Sequence, residues 1–533
     1  MSRRRVLAIG LDGYEISLAE SMMAQGLLPH MRALQKRSAR FALDHGQARY
    51  SGLAWEHVST GLSPEAIRRW SAVTFDPQSY KVAQVPTSAM PFTARLSSRV
   101  VVLDLPYCDL GKAPNTLGFT NWGAHDPGVA PQSRPDGLLD EIEARFGPYP
   151  ATDYIYGFTW PSVEKTELAA AALKRAVDVR AASAAWLLKE RLPEWDLAMV
   201  VVSEAHSAIE QMWHGIDRQH DVSGAPSAAA ARNGLHAIYA AIDDLTGLLM
   251  DEFPDADVVL FAMHGMGSNG ADIASMALLG ELLFRKRFGR PYMREEAWAA
   301  RLPSGAPALP DDGSWHFRLE AMIPPLWHFK PPASGIGEDF VYARERDYAV
   351  IEWMPVTRYR PFWPEMDAFA LPSFYDGRVR INLEGRESRG TVSRDKYADV
   401  LSDVRKLLAD CREPRSGMPV LESMIVEQRD PYDIGPTQPD LYIHWKGTPI
   451  AFTHPELGQI GPLPYRRTGG HTNPLGFAYI SGPGWRPADY GVRNSLDIVP
   501  TVIAMLGERD RARELSGEPI SPHQLGRTRS AAA

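Results

Sequence analysis

Val6-Leu7-Ala8-Ile9-Gly10-Leu11-Asp12-Gly13 decides the fold class of this chain. An apolar run with no polar interruption, stopped by a carboxylate and a glycine, predicts a fully buried parallel strand whose C-terminal end faces a site. Three later apolar runs also end in polar residues. Val100-Val101-Val102-Leu103 runs into Asp104, and Leu197-Ala198-Met199-Val200-Val201-Val202 closes on Ser203-Glu204. Val258-Val259-Leu260-Phe261-Ala262 closes on Met263-His264-Gly265. Helical texture fills the intervals, over residues 16–39, 164–190 and 228–252. Strands alternating with helices predict an α/β class with a mostly parallel central sheet covered on both faces, an α/β/α sandwich.

From residue 286 to about 372 the texture changes, with Pro, Trp, Arg and Gly crowded together. We read 286–379 as an insertion or cap on a discontinuous core made of residues 1–285 and 380–525. Residues 526–533 read as a frayed tail. The core is expected to resume with Arg380-Ile381-Asn382-Leu383, a helix over 393–410 and a strand at 439–443.

Composition narrows the function. The 533 residues are 44% apolar and 23% charged, ordinary values for a packed globular chain. A formal net charge of −8 leaves no basic footprint for nucleic acid. It does not exclude a phosphate ester as substrate, since a bound metal outweighs global charge locally. The two cysteines, Cys108 and Cys411, form no CxxC pair, so neither a zinc ribbon nor a redox dithiol is expected. The Ser2-Arg3-Arg4-Arg5 start is followed by an apolar run too short for a signal segment. No stretch approaches the roughly 20 apolar residues of a membrane span. A cytoplasmic protein with no membrane contact is the expectation; the sequence leaves the oligomeric state open.

Five segments carry chemistry only when taken together. Tyr50-Ser51-Gly52-Leu53-Ala54-Trp55 leads into Thr60-Gly61-Leu62-Ser63-Pro64-Glu65. His206 and Glu210 stand at i and i+4 just after a strand end, so a helix would place both on one face. Such a pair can share a divalent cation, or it can be a solvated ion pair. His264 follows Met263, and His471 sits in Thr468-Gly469-Gly470-His471-Thr472-Asn473-Pro474-Leu475-Gly476. Asp12 completes the set. Alone, Ser51 reads as a turn serine and Asp12-Gly13 as a turn.

In this order the segments resemble the alkaline phosphatase superfamily, especially its type I phosphodiesterase/nucleotide pyrophosphatase branch. The resemblance covers most of residues 5–285 and 380–522. It implies an alkaline-phosphatase-like fold with Ser51 as a nucleophile activated by metal, Ser51 standing ten residues before Gly61. It implies one metal held by His206, Glu210 and His471, and another by Asp12, Ser51 and His264. Where the branch has an Asp, then a His, this chain has His206 and Glu210, the two ligand types in exchanged places. Met263 stands where the branch has an Asp; a thioether is a poor ligand for hard cations, so Met263 is expected to pack. Asn121-Trp122-Gly123-Ala124-His125-Asp126 and the segment containing Arg386 resemble a bacterial subset of the branch. There Asn121 and His125 would line the pocket, and Arg386 would hold a phosphate or form a structural ion pair.

The implied activity is metal-dependent hydrolysis of phosphodiester or pyrophosphate bonds through a phospho-serine. The substrate would be a small phosphate ester or a nucleotide-like molecule. One or two divalent ions are expected, zinc first, with manganese or iron as alternatives. Transfer to or hydrolysis of another ester, sulfuryl or phosphonate, stays open, as does a silent ligand-binding role. No Cys-x-Pro-x-Arg sulfatase signature is present.

Overall fold

A computed structural model describes residues 4–126, 128–298, 300–309, 315–324, 351 and 353–522. The predicted tail, 526–533, lies outside the described residues. The nine strands of the main sheet are, in chain order, β1 (Arg5–Leu11), β2 (Ala39–Asp44), β3 (Val100–Leu103), β4 (Thr116–Thr120), β5 (Gln132–Arg134), β6 (Leu197–Val202), β7 (Ala256–Ala262), β8 (Leu475–Ser481) and β9 (Ala488–Asn494). They lie in the spatial order β9-β2-β8-β7-β1-β6-β3-β4-β5. Pairing is parallel from β7 through β1, β6 and β3 to β4. β8 enters antiparallel between β7 and β2. All four strands predicted from apolar runs ending in polar residues are present and central.

Strand β1 explains the layers. Leu7, Ile9 and Leu11 face one side of the sheet, and Val6 and Ala8 face the other. The first face is covered by α1 (Ile16–Ala24), α2 (Pro29–Arg37), α4 (Val163–Trp186), α5 (Glu204–Met212) and α6 (Ala228–Glu252). The second is covered by α3 (Ala54–Thr60) and α9 (Ile498–Met505). Period-2 side-chain alternation with both faces apolar makes this a three-layer sandwich.

The helix expected over 16–39 is two helices. Gly26, at φ 80°, ends the first, and Pro29 occupies the first turn of the second. Proline has no amide hydrogen and disfavours a helical residue before it, so it starts helices and does not continue them. Ala39 belongs to β2, not to a helix.

A second sheet, antiparallel, orders Ala368–Leu371, Gly377–Ile381, Leu441–Trp445 and Leu421–Val426 side by side. It therefore draws strands from both sides of residue 379. Helix α8 (Tyr397–Ala409) packs against it, and a separate apolar cluster also takes in α7 (Leu279–Phe288). No helix among the described residues is long and apolar enough to cross a membrane.

Candidate metal centre and active site

The main sheet brings the sequence-predicted residues to one edge. Asp12 directly follows β1, His264 follows β7, and His471 precedes the antiparallel β8 at the same end. His206 and Glu210 are on α5, which starts after β6. Ser51 lies beyond the C-terminal end of β2, in the turn Gly46–Ser51 that precedes α3. Gly13, at φ +58°, lets the chain turn under His206; a Cβ there would lie 2.6 Å from the His206 Cβ. The segment bearing His471 is held by α5, because the Thr468 amide donates to the Glu210 carbonyl at 2.9 Å.

Four imidazoles and two carboxylates form one buried cluster. His206 Nδ1 lies 3.0 Å from Asp12 Oδ2. Its Nε2 faces His471 Nε2 at 2.9 Å and Glu210 Oε1 at 3.5 Å. His471 Nδ1 meets His264 Nδ1 at 3.1 Å. The His125 ring stacks on His206 with centroids 3.7 Å apart, and its Nε2 lies 3.1 Å from Glu210 Oε2. His125, His206 and Glu210 thereby present ligand atoms all within 4.8 Å of one another. His206 donating one nitrogen to a carboxylate while turning the other into the cluster is the orientation that metal-bound histidines take from their outer partners.

Burial keeps these groups ready to ligate. It pushes the His125 and His264 imidazoles down to about 4 each. His471 is held well below its ordinary value by burial and by His264, His206 and His125. Burial works to raise the Asp12 carboxyl, but His206, His125 and Trp55 together hold it below the usual value. Imidazole nitrogens beside carboxylate oxygens suit zinc, manganese or iron. The donor set therefore fits one divalent cation.

His125, read as a pocket-lining residue, stacks on His206 and forms one candidate ligand group with His206 and Glu210. Asp12, read as a ligand of a second metal, accepts a hydrogen bond from His206 Nδ1 at 3.0 Å. The Ser51 hydroxyl donates to the Ala48 carbonyl at 2.6 Å and accepts from the Leu53 amide at 3.0 Å, both within its own turn. Asn121 Nδ2 donates to the Val129 carbonyl at 2.8 Å. Arg386 stands apart from the cluster: its guanidinium clasps Asp440 at 2.8 and 2.9 Å and also meets Glu387 at 2.9 Å. Of its two predicted roles, this geometry is the structural ion pair. Met263 packs in the apolar layer between the sheet and α3.

Sequence reading missed Arg467 and Tyr375. The Arg467 guanidinium pairs with Glu210 Oε1, and burial lowers it to about 9. The Tyr375 ring stands edge-on to His471 with centroids 4.3 Å apart. Arg467 precedes the Gly-Gly-His segment by two residues, a signal that was present; Tyr375 lies in the stretch read as an insertion. Tyr375 and His471 form the shared wall of two adjoining pockets. One, with about 340 Å³ of empty space counting open solvent, is lined by Glu210, Asp272, Phe374 and Arg467 among others. The other, with about 300 Å³ counted the same way, is lined by Asp12, Arg49, Gly52, Tyr107, His206 and His264. A second group of possible ligands, His30, Asp243 and Asp244, lies elsewhere; there Asp243 accepts from the His30 and Met31 amides at the start of α2.

Comparison with solved structures agrees with the architecture. Phosphonoacetate hydrolase from Sinorhizobium meliloti 1021, in complex with phosphonoformate, aligns with 95% of this chain and 96% of its own at TM-score 0.50 and 12% identity. The same enzyme in complex with phosphonoacetate gives 0.49 and 13% over the same shares. Murine ectonucleotide pyrophosphatase/phosphodiesterase 5, in complex with AMP, aligns over 97% of both chains at 0.46 and 11%. No protein-family model matches the chain, and no curated protein sequence matches it. The fold is the alkaline-phosphatase-like α/β fold.

Proposed function

We propose that this chain is a metal-dependent phosphoryl hydrolase, acting on phosphodiester or pyrophosphate bonds of a small phosphate ester or nucleotide-like substrate. The observation that carries the reading is the convergence of His125, His206, His471 and Glu210 at the C-terminal edge of a parallel sheet, beside two open pockets. His125, His206 and Glu210 would hold one divalent ion, zinc first, with His471 at its border. When bound, that ion offsets charge on phosphoryl oxygens and makes water a better nucleophile.

The remaining chemistry belongs to the chain. Ser51 lies between Arg49 and Gly52, both in the wall of the smaller pocket. Its hydroxyl would leave the Ala48 carbonyl and attack phosphorus, with the bond to the leaving oxygen breaking. The serine proton would go to the medium or to a neighbouring base, and water would then hydrolyse the phospho-serine. Asp12 keeps His206 oriented throughout. Arg467, already on Glu210, supplies fixed positive charge beside the larger pocket.

Metal analysis of purified protein, paired with assay of an aryl phosphodiester and an aryl phosphonate, tests the reading. The phosphonate belongs there because the phosphonoacetate hydrolase above shares the fold. Turnover that rises with zinc supports hydrolysis. A protein that takes up no divalent ion under any supply sinks it. A protein that takes up zinc yet turns over neither ester would favour a ligand-binding member of the fold, the reading favoured by the thioether of Met263 in place of an acid.

A further inference from the structure

Behind the ligand cluster lies a charged network that touches neither pocket. Arg180, on α4, points its guanidinium at two carboxylates. Nε and Nη2 meet Glu204 Oε1 at 3.0 and 2.8 Å, and Nη1 meets Asp104 Oδ2 at 3.0 Å. All three residues are fully buried, at 0% exposure. Tyr149 adds a hydroxyl bond to Glu204 at 3.2 Å.

Each carboxylate belongs to an arm of the site. Glu204 is in the first turn of α5, two residues before His206. Asp104 follows β3 in a left-handed conformation, φ 60°, and accepts from the Trp122 and Gly123 amides, both at 2.8 Å. Those two amides open the run that reaches His125 two residues later. The turn is close-packed as well: a Cβ on Gly123 would lie 2.2 Å from the Tyr149 ring. The Trp122 ring lies 5.3 Å from the Arg180 guanidinium carbon.

Stability alone is a poor reason for this arrangement. Removing charges from water costs several kcal/mol per ion, and an apolar replacement of similar volume is often neutral or stabilising. Fixing two chain segments relative to each other needs directional bonds, which a forked guanidinium supplies and an apolar contact does not.

We propose that Arg180 is a positioning residue: by joining Glu204 to Asp104 it sets the spacing between the His125 arm and the His206–Glu210 arm, and so sets the affinity of the cluster for a divalent cation. The proposal rests on the reading that this cluster binds such an ion.

The test is calorimetric titration of zinc into the full, metal-free chain, with thermal melting of each variant run alongside. Arg180→Met is expected to bind zinc about tenfold more weakly, the low end of the loss for a partner bonded directly to a ligand, because Arg180 acts through Glu204 and Asp104. Arg180→Lys should recover part of that loss, because an ammonium restores charge without the fork. Asp104→Asn keeps the side-chain size and should weaken zinc in the same direction. Folded variants with lower melting temperatures but unchanged zinc affinity overturn the proposal, leaving Arg180 purely structural. Failure of all three variants to fold overturns it likewise. Wild-type protein that takes up no zinc overturns the metal reading itself, and is distinguishable because it needs no variant.

Discussion

The two halves of the candidate site compare differently with the branch that the sequence resembles. In the His206–Glu210 half, an acid and an imidazole have exchanged places relative to the resembled branch. Because both stand one helical turn apart on α5, the exchange keeps one nitrogen and one carboxylate on the same face, with His206 Nε2 and Glu210 Oε1 3.5 Å apart. In the Asp12–His264 half, Met263 stands where the resembled branch has an acid, and it is buried in the apolar layer. Asp12, the acid that remains there, faces His206. A helix face tolerates permuted ligands, whereas a strand end that loses its carboxylate has no neighbouring position from which to replace it. The site is thus asymmetric: His125, His206 and Glu210 gather around one locus, while Met263, next to His264, is buried in the apolar layer.

Breaking the Ser51 side should have the largest effect. Ser51→Ala is expected to lower turnover of an aryl phosphodiester by about a thousandfold or more while zinc content stays near wild type. Undiminished turnover would remove Ser51 from the chemistry. Breaking the ligand-rich half comes next. His206→Ala should weaken zinc binding by more than about a hundredfold, read by calorimetry, because it removes a ligand and not merely its outer partner. His264→Ala should weaken it far less; equal losses would erase the asymmetry.

Met263→Asp sharpens the comparison in the opposite direction. An acid there, buried and unpaired in metal-free protein, should cost about 3 kcal/mol in denaturant melts. Added zinc should restore the loss and raise the bound stoichiometry. Unchanged stoichiometry would show that the second locus lacks more than one acid.

A last test concerns histidines outside the cluster. Burial pushes His57 and His214 down to about 3 each, against an ordinary 6.5. Both are neutral in the folded chain across pH 6.5 to 3, while the unfolded chain takes up protons there. Stability is therefore complete above pH 6.5 and falls with pH through that window, by about 1.4 kcal/mol per pH unit for each histidine. His57→Gln should flatten the slope measured by denaturant melts at several pH values. An unaltered slope would place the acid sensitivity elsewhere.

Much of the fold was legible because strand signals are local. An apolar run ending in polar residues identified β1, β3, β6 and β7, and these are the centre of the sheet. The break between α1 and α2 was also written in the sequence, in Gly26 and Pro29, though the amphipathic texture masked it. β2 and β8 were harder to see: β2 alternates buried and half-buried residues, and its identity comes from pairing with β8 and β9. In the site, His206, Glu210, His264 and His471 were legible as types in an order. His125 was visible only as a residue near a pocket.

The sequence by itself determined the layered α/β class, the order of polar residues at strand ends, and the His206–Glu210 pair on one helix face. Those features are encoded by periodicity and by neighbours a few residues apart. Tertiary structure alone decided which residues share a locus. His125 stacks on His206, Asp12 serves as its orienting partner, and Arg467 reaches Glu210 from 257 residues away. Arg386 is taken by Asp440, and Arg180 links two arms that no sequence spacing connects. The physical reason is that ligand geometry and burial depend on distances between strand ends, and the packing of the sheet sets those distances while local sequence does not.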